Sequence, residues 1–132
     1  MSKKEIAKGT FTVEMKPESQ EKIEDISFGR FIISKVFEGD LEATSKVEML
    51  TVGSDKGSAA YVAIERIDGS LKGKSGSFVL THVGTMNSNS QQLEVAVVPG
   101  CGTGELAGIE GKMTIDIVDK VHYYTLEYLF SV

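Results

Sequence analysis

The sequence predicts an all-β domain, an eight-stranded antiparallel up-and-down β-barrel. Short runs along the chain alternate apolar and polar residues with the period of two that is typical of strands. The 14 glycines and turn pairs such as Asp-Gly join many of these runs as tight hairpins. Consecutive hairpins make antiparallel neighbours, and closure into a barrel removes the free sheet edges. A β-sandwich is the alternative for the same pattern.

Eight segments carry the strand pattern. In chain order they are residues 10–15, 29–38, 41–50, 58–67, 77–83, 93–97, 112–117 and 122–130. The polar segment 17–26 predicts one helical turn or a connecting loop. Turns are predicted at Gly39-Asp40, at Asp68-Gly69 and at Asp119-Lys120, because aspartate and glycine favour tight turns.

Length and composition indicate one globular domain over residues 1–132, with residues 1–8 as an N-terminal tail. The chain is 41% hydrophobic and 25% charged, with 14 Lys and Arg against 19 Asp and Glu for a net charge of −5. Because no basic run is present, a nucleic-acid partner is not expected. No apolar run could span a membrane, and no secretory signal is visible. These features and the single cysteine predict a cytoplasmic protein.

The length of a hairpin loop fixes which side chains of its two strands share a face. A two-residue loop at Asp119-Lys120 pairs Ile117 with His122, and the other hairpins are read in the same way. The resulting inner face is mostly apolar. It also includes a group of polar or amphipathic residues, namely Lys35, Tyr61, Glu65, His82, His122, Tyr124 and Tyr128.

These polar residues supply the candidate site. A buried lysine or glutamate without a partner is strongly unfavourable, so Lys35 and Glu65 are expected to pair across the lumen. We predict Glu65 and His82 as catalytic residues, because both groups can move protons when partly buried. The predicted ligand-binding residues are Lys35, Tyr61, Tyr124 and Tyr128. Two alternatives to a functional site remain. A β-bulge could reverse the face of one strand, and the tyrosines could serve only to bury their rings.

Other motifs give little support for a cofactor. His82, His122 and Glu65 could form a metal site by composition, but their spacing does not favour one, so no metal is expected. Cys101 lies in a glycine-rich loop without an activating neighbour. That loop lacks the lysine and the following helix of a phosphate-binding loop, so no nucleotide cofactor is expected.

The segment from Val97 to Gly111 resembles the Gly-Thr-Gly-x-Φ-x-Gly-x-x-Gly signature of allene oxide cyclases and dirigent proteins. From about Gly9 to Phe130 the chain resembles a bacterial domain-of-unknown-function family with an allene-oxide-cyclase-like barrel. The matching stretches are residues 39–42, 58–66, 73–82 and 102–104. The resemblance implies an eight-stranded antiparallel barrel that forms a homo-oligomer, a dimer or a trimer. It implies no activity and carries over no site residue.

Two functions are therefore expected from different classes. In the first, the lumen holds a small, largely apolar molecule, with isomerisation or cyclisation as the reaction if chemistry occurs. In the second, the barrel is a structural or protein-interaction module with a solid core, and its outer surface makes the contacts. The side chains that would fill such a core are the methionines with Phe31, Phe37, Phe78, Tyr124 and Phe130.

Overall fold

The computed structural model describes residues 3–131, and every regular element in that range is a β-strand. The strands are β1 (Glu5–Ile23), β2 (Ile26–Gly39), β3 (Leu41–Ser54), β4 (Ala59–Leu71), β5 (Lys74–Met86), β6 (Gln91–Val97), β7 (Thr103–Gly104), β8 (Ile109–Val118) and β9 (Val121–Phe130). The prediction of an all-β chain is confirmed. Within residues 3–131 no helix is long and apolar enough to cross a membrane.

The strands close into an antiparallel barrel. Neighbours along the chain pair in order from β1 to β6, β6 pairs with β8, β8 with β9, and β9 returns to β1. The short β7 pairs with the first residues of β5, and β6 pairs with the later residues along the same edge of β5. Because β6 and β7 share one position, the wall has eight strands, and the predicted up-and-down barrel is confirmed.

The first hairpin differs from the sequence prediction. Residues 17–26 were expected to form a helical turn or a loop, but β1 continues to Ile23 and pairs there with Ile26 of β2. That prediction was wrong because this end of the hairpin is exposed, so its strands need no apolar alternation. The ladder has one register shift between Pro17 and Ser19, since proline cannot donate to it. β1 also begins within the predicted tail, and Ala7 is fully buried.

A second difference concerns the turn between β4 and β5. It was predicted at Asp68-Gly69, but both residues lie within β4, and the turn is at Lys72 (φ 48°) and Gly73 (φ 85°). Two consecutive positive φ angles are the geometry that favours tight hairpins. Gly69 is instead required by close packing, because a Cβ there would overlap the backbone of Glu42 and Ala43.

The last hairpin agrees with the prediction. Asp119 (φ 50°) and Lys120 (φ 69°) form the two-residue turn, and Ile117 pairs with His122 as expected. The faces predicted for the β2–β3 and β4–β5 hairpins are also confirmed. Lys35 lies opposite Ser45, and Ala63 lies opposite His82.

One half of the barrel is packed solid, and we call it the closed half. Its rings interlock: Phe37 lies 5.2 Å from Phe11 and 5.6 Å from Tyr124, between ring centroids. This half therefore matches the solid core of the structural alternative. Its buried members are Ala7, Phe11, Phe37, Leu41, Ile67, Leu71, Phe78, Leu80, Val95, Val97, Leu106, Ile109, Met113, Tyr124, Leu126 and Tyr128.

Tyr124 ties the β2–β3 turn to β9. Its hydroxyl oxygen accepts a hydrogen bond from the Leu41 N–H at 2.9 Å and donates one to the Glu38 carbonyl at 2.9 Å. Gly9 and Gly39 lie against the tyrosine ring and hydroxyl, where any larger residue would crowd them. One side-chain oxygen thus bonds two backbone groups of the turn, of which the Leu41 N–H is buried.

Replacing Tyr124 by phenylalanine should lower the free energy of unfolding by about 1–3 kcal/mol, because the Leu41 N–H loses its acceptor. Urea denaturation followed by circular dichroism measures the loss. Tyr123→Phe is the matched control on the same strand, because Tyr123 is exposed and its change should stay within about 0.5 kcal/mol. Equal losses in the two variants would contradict this role of the Tyr124 hydroxyl.

Candidate functional site

Four polar side chains lie next to one another inside the barrel, and we call them the polar layer. They are Lys35 on β2, Ser45 on β3, Glu65 on β4 and His82 on β5. All four are buried, and Glu65 is 0% exposed. The polar layer therefore joins four neighbouring strands through side chains that sequence reasoning placed on the inner face.

Strand register brings the four residues together. Lys35 lies directly opposite Ser45, while Glu65 is a diagonal neighbour of Ser45 and of His82. Diagonal neighbours on one face of a sheet are within reach of long side chains. The ladders β2–β3, β3–β4 and β4–β5 run without a register shift. The alternative that a bulge reverses one of these faces is thus excluded.

Glu65 is the centre of the polar layer. Its Oε1 accepts hydrogen bonds from Lys35 Nζ at 3.1 Å and from His82 Nε2 at 2.7 Å. Its Oε2 accepts a hydrogen bond from Ser45 Oγ at 2.6 Å. Both oxygens are therefore satisfied, as a buried carboxylate requires.

The pKa of Glu65 follows from these partners. Burial alone raises the pKa of the carboxyl, but the hydrogen bond from His82, the Lys35 ammonium and the hydrogen bond from Ser45 together outweigh it. The pKa of Glu65 is therefore held below its ordinary value of 4.5, and the group is ionised at neutral pH.

The ionised carboxylate fixes the orientation of His82. A carboxylate only accepts hydrogen bonds, so Nε2 of His82 carries the hydrogen that it donates to Glu65. Within residues 3–131 no buried side-chain nitrogen or oxygen lacks a partner, and no partner of Nδ1 is found. Nδ1 therefore keeps some contact with solvent, although His82 is only 5% exposed, and in the neutral ring Nδ1 carries the lone pair.

Lys35 lies between the carboxylate and the closed half. Its Nζ is 4.7 Å from the centroid of the Phe11 ring and 5.9 Å from that of Phe37. Aromatic faces attract a cation, so these rings add to the attraction of Glu65. The ammonium has three N–H donors, and Glu65 accepts one of them.

The polar layer separates two apolar clusters. Three successive inward-facing positions of β4 show this. Ile67 belongs to the closed half, Glu65 belongs to the polar layer, and Ala63 belongs to a second cluster. The second cluster consists of Ile33, Val47 and Ala63, with Met49 packed against it.

The interior is open beside the polar layer, where Val13 of β1 lies directly opposite Lys35, and we call this part the open half. The inward-facing apolar residues there are exposed: Val13 by 39%, Met15 by 51%, Leu93 by 45% and Ile117 by 64%. The wall is incomplete because β6 and β8 share only the pairs Val95–Met113 and Ala96–Lys112. Solvent therefore reaches apolar side chains on the inner face of the barrel.

The predicted site residues fall into two groups. Lys35, Glu65 and His82 come together in the polar layer, and Tyr61 is half-buried in the wall of the open half with its ring against Gly84. Burial raises the pKa of the Tyr61 hydroxyl. Tyr124 and Tyr128 lie in the closed half, where burial is also the main cause of their raised pKa values.

The two tyrosines of the closed half are not positioned to meet a ligand of the polar layer. The Tyr124 hydroxyl is bonded to the backbone, and the Tyr128 ring packs edge-on against Phe130 at 5.9 Å. We therefore leave both out of the candidate site. His122 is half-buried with its ring 5.1 Å from Phe11.

Sequence reasoning missed the part played by Ser45. The parity of the β2–β3 hairpin puts Ser45 on the inner face with Ala43 and Val47, but its small hydroxyl suggested no role. A serine at an inward position was itself the available signal, because a buried hydroxyl needs a partner. Within residues 3–131 no three His, Cys, Asp or Glu side chains form a metal-binding group, and Cys101 is exposed.

Similar proteins are found among protein families and among solved structures. Residues 7–128 match the model of a family described as "Protein of unknown function (DUF3224)". A crystal structure of a protein with unknown function from the DUF3224 family of Shewanella oneidensis MR-1 is 40% identical, with a TM-score of 0.92 over 98% of this chain and 100% of that one. No curated protein matches. Neither match names allene oxide cyclases or dirigent proteins, so that resemblance stays a prediction.

Glu65→Gln should lower the free energy of unfolding at pH 7 by about 3–5 kcal/mol, because it leaves the Lys35 ammonium buried without its counter-charge. Glu48→Gln, on the outer face of β3 in an exposed pair with Arg30, is the control and should change stability little. Chemical denaturation of the three proteins measures the difference. Similar stabilities of the two variants would contradict the central position of Glu65.

Stability should also depend on pH in a direction set by Glu65. Because its folded pKa is lowered, the unfolded chain takes up the proton first, and the stabilisation is complete only above the ordinary value of 4.5. It is lost as the pH falls from there through the folded pKa. Denaturation between pH 7 and pH 3 should show this loss in the natural chain and a smaller one in Glu65→Gln. Parallel pH profiles would contradict the assignment.

Proposed function

The chain belongs to the DUF3224 family, and we propose that it binds a small, largely apolar molecule in the open half of its barrel, against the polar layer. The observation that supports this proposal is the exposure of inward-facing apolar residues such as Met15 and Ile117. Apolar surface in contact with water is unfavourable, and a cluster of it marks a place where another molecule binds.

The chemistry of the open half fits this kind of ligand. Its wall is built from aliphatic and thioether side chains, including Val13, Met15, Met49 and Leu93. Its inner end borders the polar layer, in which Lys35 lies directly opposite Val13 and His82 keeps its Nδ1 in contact with solvent. Pockets for small molecules have this composition, an apolar wall with a few polar groups that fix orientation.

An apolar dye tests the proposal. Nile red should bind the natural chain, and Met15→Asp should weaken binding about tenfold, because a carboxylate would then face the apolar ligand. Val36→Asp is the matched control: Val36 is 49% exposed and Met15 51% exposed, but Val36 faces outward. Fluorescence titration gives the Kd values.

The outcomes of this titration are distinct. Selective loss in Met15→Asp supports binding in the open half, as does a small molecule retained in native mass spectrometry of the purified protein. Equal weakening in both variants contradicts it. Absence of binding to the natural chain also contradicts it.

An outer groove favours a second function, self-association. A groove of about 870 Å³ lies along β2 to β5 and is lined mostly by their outward-facing residues, with Met49, Ala63 and His82 also in its lining. Its floor is apolar, and Leu50, Val62 and Ile64 are all exposed there. A patch of this kind on a soluble chain is typical of a protein contact.

A second copy of this chain is the occupant that the charges favour. The groove and its edge carry both signs: Arg30 pairs with Glu48 at 3.7 Å, Arg66 pairs with Asp68 at 3.5 Å, and Lys46 is a further cation of the lining. In a twofold interface the same patch meets itself, so a patch with both signs can match its own charges. This proposal corresponds to the expected homo-oligomer.

Ile64→Lys should dissociate the oligomer, raising its Kd at least about a hundredfold, because an ammonium would be buried in the interface. Val36→Lys, outward-facing but outside the groove, is the control. Sedimentation velocity measures the distribution of species. A natural chain that is monomeric at all concentrations tested, or an unchanged Ile64→Lys oligomer, would contradict self-association through this groove.

A further inference from the structure

We propose that the polar layer catalyses proton transfer on an apolar ketone, with His82 as the base and Lys35 as the group that holds the ketone oxygen. This inference rests on the proposed function, because the ketone would bind in the open half. It adds a reaction, a substrate class and a separate role for each residue.

His82 has the geometry of an oriented base. Its Nε2–H is held by Glu65 at 2.7 Å, which fixes the ring and leaves the Nδ1 lone pair on the accessible side. The carboxylate also stabilises the imidazolium that forms when Nδ1 takes a proton. Glu65 touches no substrate in this arrangement, so it is a positioning residue.

Lys35 is placed to stabilise a negative oxygen next to that base. Its Nζ and the Nε2 of His82 bond the same oxygen of Glu65, so the ammonium and the imidazole are immediate neighbours. One N–H of the ammonium bonds Glu65, and the Phe11 ring lies 4.7 Å from Nζ, so the site needs only one further N–H for a carbonyl oxygen. A cation near a developing oxyanion, with little water around it, is a strong source of catalysis.

The reaction balances without a cofactor. His82 Nδ1 takes the proton from the carbon between a ketone and a carbon–carbon double bond. The C–H electron pair becomes part of the dienolate, and the carbonyl π pair moves to the oxygen that Lys35 holds. The imidazolium then returns the proton to the far carbon, which moves the double bond into conjugation with the carbonyl. The product is an isomer of the substrate, and His82 is again neutral.

The substrate class follows from the two halves of the site. An apolar wall suits a hydrocarbon body, and a single ammonium suits a single oxygen function. A β,γ-unsaturated cyclic ketone satisfies both requirements. Its conjugated isomer absorbs more strongly in the ultraviolet, so the reaction can be followed directly.

The experiment uses the full chain and a β,γ-unsaturated cyclohexenone as the probe. Ultraviolet absorbance follows isomerisation, and saturation-transfer NMR follows binding of the same ketone. His82→Gln retains an amide N–H for Glu65 but has no base, and its kcat should fall about a hundredfold or more. Lys35→Met should also lower kcat, and it tests the site if His82→Gln fails to fold. Glu14→Gln, exposed on the outer face of β1, is the control.

Glu65→Gln distinguishes positioning from binding. It should lower kcat by a larger factor than it raises the Kd for the ketone, because Glu65 touches no substrate and acts through His82 and Lys35.

The possible results separate the inference from the proposed function. Isomerisation by the natural chain that is lost in His82→Gln supports the inference. Binding of the ketone without isomerisation overturns the inference but leaves the proposed function intact. No binding overturns both. A folded His82→Gln variant with the natural rate overturns the role of His82.

Discussion

The ionised carboxylate of Glu65 is the constraint on which the interior of this barrel depends. A fully buried charge is tolerated only where its partners replace water, and Lys35, Ser45 and His82 together do so. Each partner comes from a different strand. The register of four strands is therefore tied to one side chain, since a slip of one residue would turn these groups to the outside.

The two halves of the barrel follow from the position of this layer. On one side, aromatic rings from several strands fill the lumen, and Tyr124 fixes a hairpin through its hydroxyl. On the other side the wall is incomplete, and apolar side chains such as Ile117 face water. The solid core and the hollow barrel, expected as alternatives, thus occur in the same molecule. The proposed ligand site lies where they meet.

The predictions about which side chains share a face were correct where the turn residues alone fix the geometry of the hairpin. The Asp119-Lys120 turn set the partners of Ile117 and His122, because two residues with positive φ make one tight hairpin geometry. Segment 17–26 was misjudged because an exposed hairpin end needs no apolar alternation. Asp68-Gly69 was wrongly predicted as a turn. Gly69 is needed because the backbone of Glu42 and Ala43 lies close to it, and the local sequence does not indicate this contact.

The sequence by itself determined the all-β class, the alternation of faces and the candidates Lys35, Glu65 and His82, since these depend on the period of two and on hairpin parity. Only the tertiary structure decided that three strands bring their polar groups to one carboxylate and that Tyr124 and Tyr128 lie apart from it. Parity states which face a side chain occupies. Parity does not give the position of that side chain along the barrel axis. That position depends on the stagger between neighbouring strands and on where each strand ends.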